Sequence, residues 1–320
     1  MTLADLIRID AKGMHYTLLN KAIRAAVASG ARKIELDHIM GQRFIADGLR
    51  GDVEIIINGV PGGDLGMFMS GPTCIVHGNC EHAPGNTMDS GTIVIHGNAG
   101  DAVAHSMRGG MIFVRDDIGY RGGIHMKQYK EKRPILVIGG SARAYLGEYM
   151  AGGLILILGR KGAYPDIDRG IGSGIHGGKI IIRGHVTDQN LGVGAKKDDL
   201  KDDEREEIAP IIEKFSCFSK TDCICRADCN TCPAASTDPA VPDFSLEVPV
   251  TLSFSHVPHI SQVYLPANGR ALEGVMTKYL SFMSETGSRP KKLENFSMRG
   301  AISSLSSSFR SSFFAPTPKF

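Results

Sequence analysis

The chain has no tryptophan, and only 7% of its 320 residues are aromatic. A core built on large rings is excluded, and strands rich in Ile, Val and Gly take that place. Charge of one sign is also missing: 36 Lys and Arg stand against 34 Asp and Glu, a net of +2. That balance excludes a nucleic-acid binder driven by bulk charge. No apolar run approaches the roughly 20 residues that span a bilayer, and the N-terminus lacks a signal-peptide pattern. A cytoplasmic protein with neither membrane nor nucleic-acid partners is expected. No Ser-His-Asp set or Cys-His pair can be placed, so no catalytic residue is assigned.

What is present is a repeat. Four or five β-type residues close on glycine in Ile55-Ile56-Ile57-Asn58-Gly59, Cys74-Ile75-Val76-His77-Gly78 and Ile93-Val94-Ile95-His96-Gly97. The pattern continues in Ile112-Phe113-Val114-Arg115-Asp116, Ile135-Leu136-Val137-Ile138-Gly139, Ile155-Leu156-Ile157-Leu158-Gly159 and Ile180-Ile181-Ile182-Arg183-Gly184. The first three steps between closing residues are 19 residues, and the later ones are 23, 20 and 25. One strand core per roughly 20 residues is a solenoid signature. The unit is too short for a βαβ crossover, so the predicted fold is all-β: a right-handed parallel β-helix of about seven coils, with strands about 4.8 Å apart.

Met69, Met88, Met107, Met126 and Met150, with Ile175 in the last coil, form a second register. A gap-filling core ladder is expected there. Glycines follow them, and Gly71, Gly91, Gly110, Gly153 and Gly178 are assigned to coil corners, where positive φ or a lack of room excludes a side chain. Gly170-Ile171-Gly172-Ser173-Gly174 resembles a phosphate cradle, but no strand leads directly into it and no helix pattern follows.

Counted back from the closing residue, positions −4 and −2 are apolar and point into the lumen. Position −3 is apolar as well: Ile56, Ile75, Val94, Phe113, Leu136, Leu156 and Ile181. A sheet apolar on both faces is covered on both. The outer stripe is therefore assigned to an interface with the N-terminal helix, the C-terminal region or another protein. Position −1 is mostly polar, with Asn58, His77, His96, Arg115 and Arg183, a solvated polar ladder in which the two histidines stack.

Residues 1–33 are assigned to an N-terminal segment with a cap helix at 17–29, which Thr17 can cap and Gly30 can end. Residues 34–192 form the β-helix, and 193–216 a C-terminal cap helix over the far end. Residues 217–235 are a cysteine-rich loop, 236–285 a small segment with a strand at 251–254 and a helix near 271–285, and 286–320 a basic, serine-rich tail without fixed structure. Cys217, Cys223, Cys225, Cys229 and Cys232 read C-x5-C-x-C-x3-C-x2-C-P. Thiolates at this density suit zinc or an iron–sulfur cluster, and the metal set assigned is Cys223, Cys225, Cys229 and Cys232. The spacing departs from the ferredoxin order, and a solvated loop of reduced thiols stays open beside it.

The coil motifs resemble the C-terminal "GXGXG" domain of the glutamate synthase large subunit. The most specific match runs from Gly147-Glu148-Tyr149-Met150 through Gly152-Gly153 to Gly159. Others are Gly100 to Gly110, Ser173 to Gly178, and the helix Asn20-Lys21-Ala22-Ile23-Arg24. The resemblance covers about residues 14–214. It implies a β-helix that packs on catalytic domains while carrying neither the glutaminase nucleophile nor the flavin. The expected role is a non-catalytic subunit of a split glutamate synthase, with glutaminase-type and FMN-domain partner chains. FMN and an iron–sulfur cluster would lie on the partners. The family is similar also to one subunit of formylmethanofuran dehydrogenase and to one of N-methylglutamate synthase, so the former complex is an alternative. An electron-transfer accessory built on the cysteine cluster is another. A polysaccharide-cleaving β-helix is disfavoured by the apolar outer stripe.

Overall fold

A computed structural model describes residues 6–159, 169–184, 186–219 and 250–254. Within them, strands β1 (Leu6–Asp10), β2 (Lys33–Met40), β3 (Glu54–Val60), β4 (Ser70–His77) and β5 (Ser90–Ile95) stack in parallel. Strands β6 (Met111–Val114), β7 (Ile135–Ile138), β8 (Ala151–Ile157) and β9 (Gly177–Ile182) continue the stack. The ladder ends in two antiparallel neighbours, β11 (Val250–Phe254) and then β10 (Ala195–Asp199). This is one wall of a parallel β-helix. Helix α1 (Tyr16–Ala28) connects β1 to β2, and α2 (Asp202–Ser219) follows β10.

β-Branched residues suit a pleated wall with two packed faces. The lumen column runs Ile34, Ile55, Cys74, Ile93, Ile112, Leu136, Ile155, Ile180, and every member is fully buried. Each isoleucine contributes about 1.5–3 kcal/mol by leaving water. The methionines lie beside this column, also fully buried. Their neighbours are the corner glycines. All five assigned corners have left-handed φ, from +83° to +116°, and a Cβ at any of them would run into the coil before. At Gly153 a Cβ would lie 2.7 Å from the Pro134 carbonyl and 2.9 Å from the Met126 methyl. The glycine leaves the space that the methionine of the preceding coil fills.

Opposite the strands, each coil has a second wall with an unusual backbone. Three residues, alternating with others, take left-handed φ: Phe44, Ala46 and Gly48 in the first coil, then Asp64, Gly66 and Phe68, and so on to Gly170, Gly172 and Gly174 in the seventh. Their φ values lie between +53° and +77°. The outer two donate N–H to the next coil, as Asp64 does to His82 O (3.0 Å) and Phe68 to Asn86 O (3.1 Å). The middle one donates to the coil before, as Gly66 does to Ile45 O at 2.8 Å. This wall is held by backbone hydrogen bonds rather than by strand pairing. Its middle position is always Gly or Ala, because a side chain there points at the lumen. A Cβ on Gly147 would lie 2.5 Å from the Ile180 terminal methyl.

The first coil has no coil before it to donate to its carbonyls. Helix α1 supplies the donors. Asn20 Nδ2 bonds Arg43 O at 2.9 Å, and Arg24 Nη2 bonds Asp47 O at 2.5 Å. These oxygens correspond to Gly63 O and Met67 O one coil on, which accept from Phe44 N and Gly48 N. An i, i+4 pair on one helix face thus replaces two backbone donors. Leu19, Ile23 and Ala26 on the inner side close the lumen. The N-cap is His15, whose Nδ1 accepts from Thr17 N at 3.3 Å, rather than Thr17 itself.

Three sequence expectations change. The N-terminal segment contributes strand β1, in register with β2. Residues 195–199 form a strand, not the start of a helix. Helix α2 does not close the far end of the stack; its apolar side lies along the outer face of the strand wall. Strand-like 251–254 is a strand, inserted between β9 and β10. The helix expected near 271–285 and the tail from 286 lie outside the described residues.

Candidate functional site

The outer face of the strand wall is where the assigned interface stripe falls. The −3 column runs Glu35, Ile56, Ile75, Val94, Phe113, Val137, Leu156, Ile181. Leu136 is not in it. Leu136 pairs with Ile112 and Ile155 and is buried in the lumen, and Val137 takes the outer place. The cause is a one-residue slip: Gly140, not Gly139, occupies the closing site, as the pairing of Ile138 with Val114 and Ile157 requires. A single residue of register exchanges the two faces of a strand.

Helix α2 covers most of this column. Ile208, Ile212, Phe215 and Phe218 pack with Val94, Phe113, Val137, Leu156 and Ile181 in one buried cluster. The Phe113 ring lies 5.2 Å from Phe218 and 6.4 Å from Phe215. Val94, Phe113, Leu156 and Ile181 therefore meet a helix of their own chain. Polar contacts fasten the helix. Lys179 Nζ lies 2.6 Å from the buried Glu204 carboxylate, and Arg133 pairs with Glu207. Arg133 belongs to the longer step before β7, where Tyr129 and Lys132 bridge across a tight loop. Burial lowers the Arg133 pKa from its ordinary value. Ile56 and Ile75, by contrast, are half-buried and lie beyond the end of α2's cluster.

Beside the column, the His77 and His96 rings stack at 5.2 Å and 11°. Desolvation, then repulsion from His77 and Arg115, pushes His96 down to about 4. Among the described residues no group of three or more His, Cys, Asp or Glu is placed to hold a metal ion. Cys74 and Cys80 are core thiols; burial pushes Cys74 up to about 12 and raises Cys80 as well. Cys217 lies in the last turn of α2, half-buried. Cys223, Cys225, Cys229 and Cys232 lie outside the described residues.

Gly170-Ile171-Gly172-Ser173-Gly174 does not form a phosphate cradle. Gly170 seats the Tyr145 ring and Gly174 the Tyr149 ring, at 2.7 Å and 2.6 Å from where a Cβ would stand. Tyr149 is sandwiched, its other face stacked on His125 at 5.3 Å. The motif marks the left-handed wall, and its outer glycines make room for tyrosines of the coil before.

A feature that sequence reasoning missed lies at the N-terminal end. A β-bulge in β2 puts His38 at φ +56°, with Nδ1 2.8 Å from Asp10 Oδ1. The Lys12 N–H and then His38 hold the Asp10 carboxyl below its ordinary value. Lys12, Asp37, His38, Met40 and Asn58 line an open pocket of about 390 Å³ there. Met40 and its cross-strand partner Val60 are exposed, at 87% and 37%. No repeat announced them: β2 is charged and lacks a closing glycine.

No helix among the described residues is long and apolar enough to cross a membrane. In sequence, the chain is 59% identical over 214 residues to the uncharacterized protein MJ1350 of Methanocaldococcus jannaschii. That match spans 65% of this chain and 82% of the relative. The profile of the GXGXG motif matches residues 18–223, from α1 through α2. This match, over well more than half of the sequence, places the chain in the GXGXG motif family.

Proposed function

We propose that this chain is the non-catalytic structural subunit of a split glutamate synthase-type oxidoreductase. In that enzyme the amide nitrogen of glutamine passes to 2-oxoglutarate, with the chemistry on partner chains. A glutaminase-type chain releases ammonia, and an FMN-domain chain with an iron–sulfur cluster carries out the reductive amination. The observation that carries the reading is the family match over residues 18–223, on a rod whose outer face keeps half-exposed apolar residues. The likeness to the glutamate synthase domain in Gly147-Glu148-Tyr149-Met150 supports it further. Cys223, Cys225, Cys229 and Cys232 are proposed as a zinc or iron–sulfur site additional to the β-helix.

The test is purification of the tagged full chain from its native host, with mass spectrometry of what remains bound after size exclusion. Flavin-domain and glutaminase chains are expected, with glutamate formed from glutamine and 2-oxoglutarate by the assembly and not by this chain alone. A monodisperse chain without partners, or synthesis by the isolated chain, overturns the proposal. A molybdenum- or tungsten-containing partner replaces it with a role in a formylmethanofuran dehydrogenase-like complex.

A further inference from the structure

We infer that the N-terminal end of the outer strand face, centred on Ile56 and Ile75, receives an amphipathic helix of a partner chain, laid along the columns as α2 is laid further up. The inference rests on the subunit role proposed above, and adds the surface and the element that fits it.

The kind of occupant is visible in the molecule itself. From Val94 to Ile181 this face is seated by a helix with apolar residues at Ile208, Ile212 and Phe215, an i, i+4, i+7 stripe. The seat does not end where the helix does. Ile56 pairs with Ile75, and Ile75 with Val94, in unbroken parallel register. The same apolar column thus continues for two coils beyond the α2 cluster, half-buried. Strands repeat about every 4.8 Å, so these coils offer room for about two helical turns.

The flanks differ from those under α2, and they define the partner. Toward β1 the column becomes charged, but Arg8 is 2.9 Å from Glu35, and Lys33 is 2.6 Å from Glu54. Those ions are already matched. Asp37 is different: its carboxylate accepts from the neutral Asn58 amide, at 2.7 Å. The fitting helix therefore carries an apolar stripe against Ile56 and Ile75 and a lysine or arginine toward Asp37. Apolar columns on an open sheet face mark interfaces when they form contiguous patches, and helix-in-groove docking uses this i, i+3, i+4, i+7 spacing.

The experiment uses the full chain with a photo-crosslinking residue, p-benzoylphenylalanine, at position 75 in the native host. It is paired with affinity measurements of the purified full chain for the purified flavin-domain chain. A crosslink into a partner segment with an apolar i, i+4 stripe is expected. Ile75→Asp should weaken binding about tenfold or more, with unchanged circular dichroism. If Ile75→Asp fails to fold, Ile75→Thr keeps the β-branched strand residue and should still weaken binding. A crosslink into a helix of some other chain supports this inference and overturns the glutamate synthase reading. Crosslinks only to residues 220–249 of the same chain, or to a second copy, overturn it. So does a complex whose affinity neither substitution changes.

Discussion

The two walls of a single coil solve the same problem by different chemistry. The strand wall is specified by side chains. Its lumen column is apolar throughout and its outer column from Ile56 onward, and volume-conserving exchanges between Ile and Leu preserve its packing. The left-handed wall is specified by backbone. Thirteen of its twenty-one left-handed positions are not glycine, and each such residue costs about 1–2 kcal/mol in that conformation. The inter-coil hydrogen bonds offset that cost, since an unpaired buried N–H would cost a comparable amount. One wall tolerates changes of identity as long as volume is kept, and the other tolerates most identities except at its small middle column.

The sharpest way to test this is Gly147→Val, which joins left-handed φ to a collision with Ile180. A loss of about 4 kcal/mol or more is expected by thermal or denaturant unfolding. Ile155→Val on the strand wall should cost only about 1 kcal/mol. Equal costs would erase the contrast. Next comes Phe113→Glu, which puts a carboxylate under Phe215 and Phe218. The expected loss is about 3 kcal/mol, with α2 detached and cut first in limited proteolysis. Of the three covers expected for the outer stripe, the C-terminal region is the one over Phe113, so this change should injure the chain before it injures any complex. Arg24→Ala should cost about 1–2 kcal/mol, by removing a charged donor from Asp47 O. Hydrogen exchange should quicken first in residues 43–49.

The smallest effect concerns pH. Folding holds His96 near 4 against an ordinary 6.5. On acidification the unfolded chain takes up this proton before the native one does. The stability carried by neutral His96 is therefore whole above about pH 6.5, and it is lost as pH falls toward 4. In His96→Gln the melting temperature should decline less steeply across that window. A parallel decline would mean that other groups set the acid limit.

The strand wall was legible because Ile, Val and closing glycines recur at 19 residues. The slip at Leu136 arose where both Gly139 and Gly140 could close the unit and the lengthened step of that coil hid the register. The left-handed wall was largely hidden, since Phe44, Asp64, Thr87 and Tyr145 carry no sequence mark of positive φ. Its trace was the spacing of Gly66, Gly85, Gly123 and Gly147, which glycine corners elsewhere obscured. The apolar side of α2 could be read from periodicity, but periodicity does not say which surface a helix meets. The bulge at His38 had no local signal: a histidine between charged neighbours looks like any solvated strand residue.

The α1 contacts bear on how long such a rod can be. Asn20 and Arg24 grip two main-chain oxygens through contacts that any residue's carbonyl could accept. Every coil offers the same pair of oxygens. The terminus is thus generic, fitting whichever unit comes first. Excising residues 79–97, the unit between Gly78 and Gly97, would join like to like and require no new end. Rod length in this architecture is a variable separate from termination, and whole units can be removed or added without rebuilding the closure at α1.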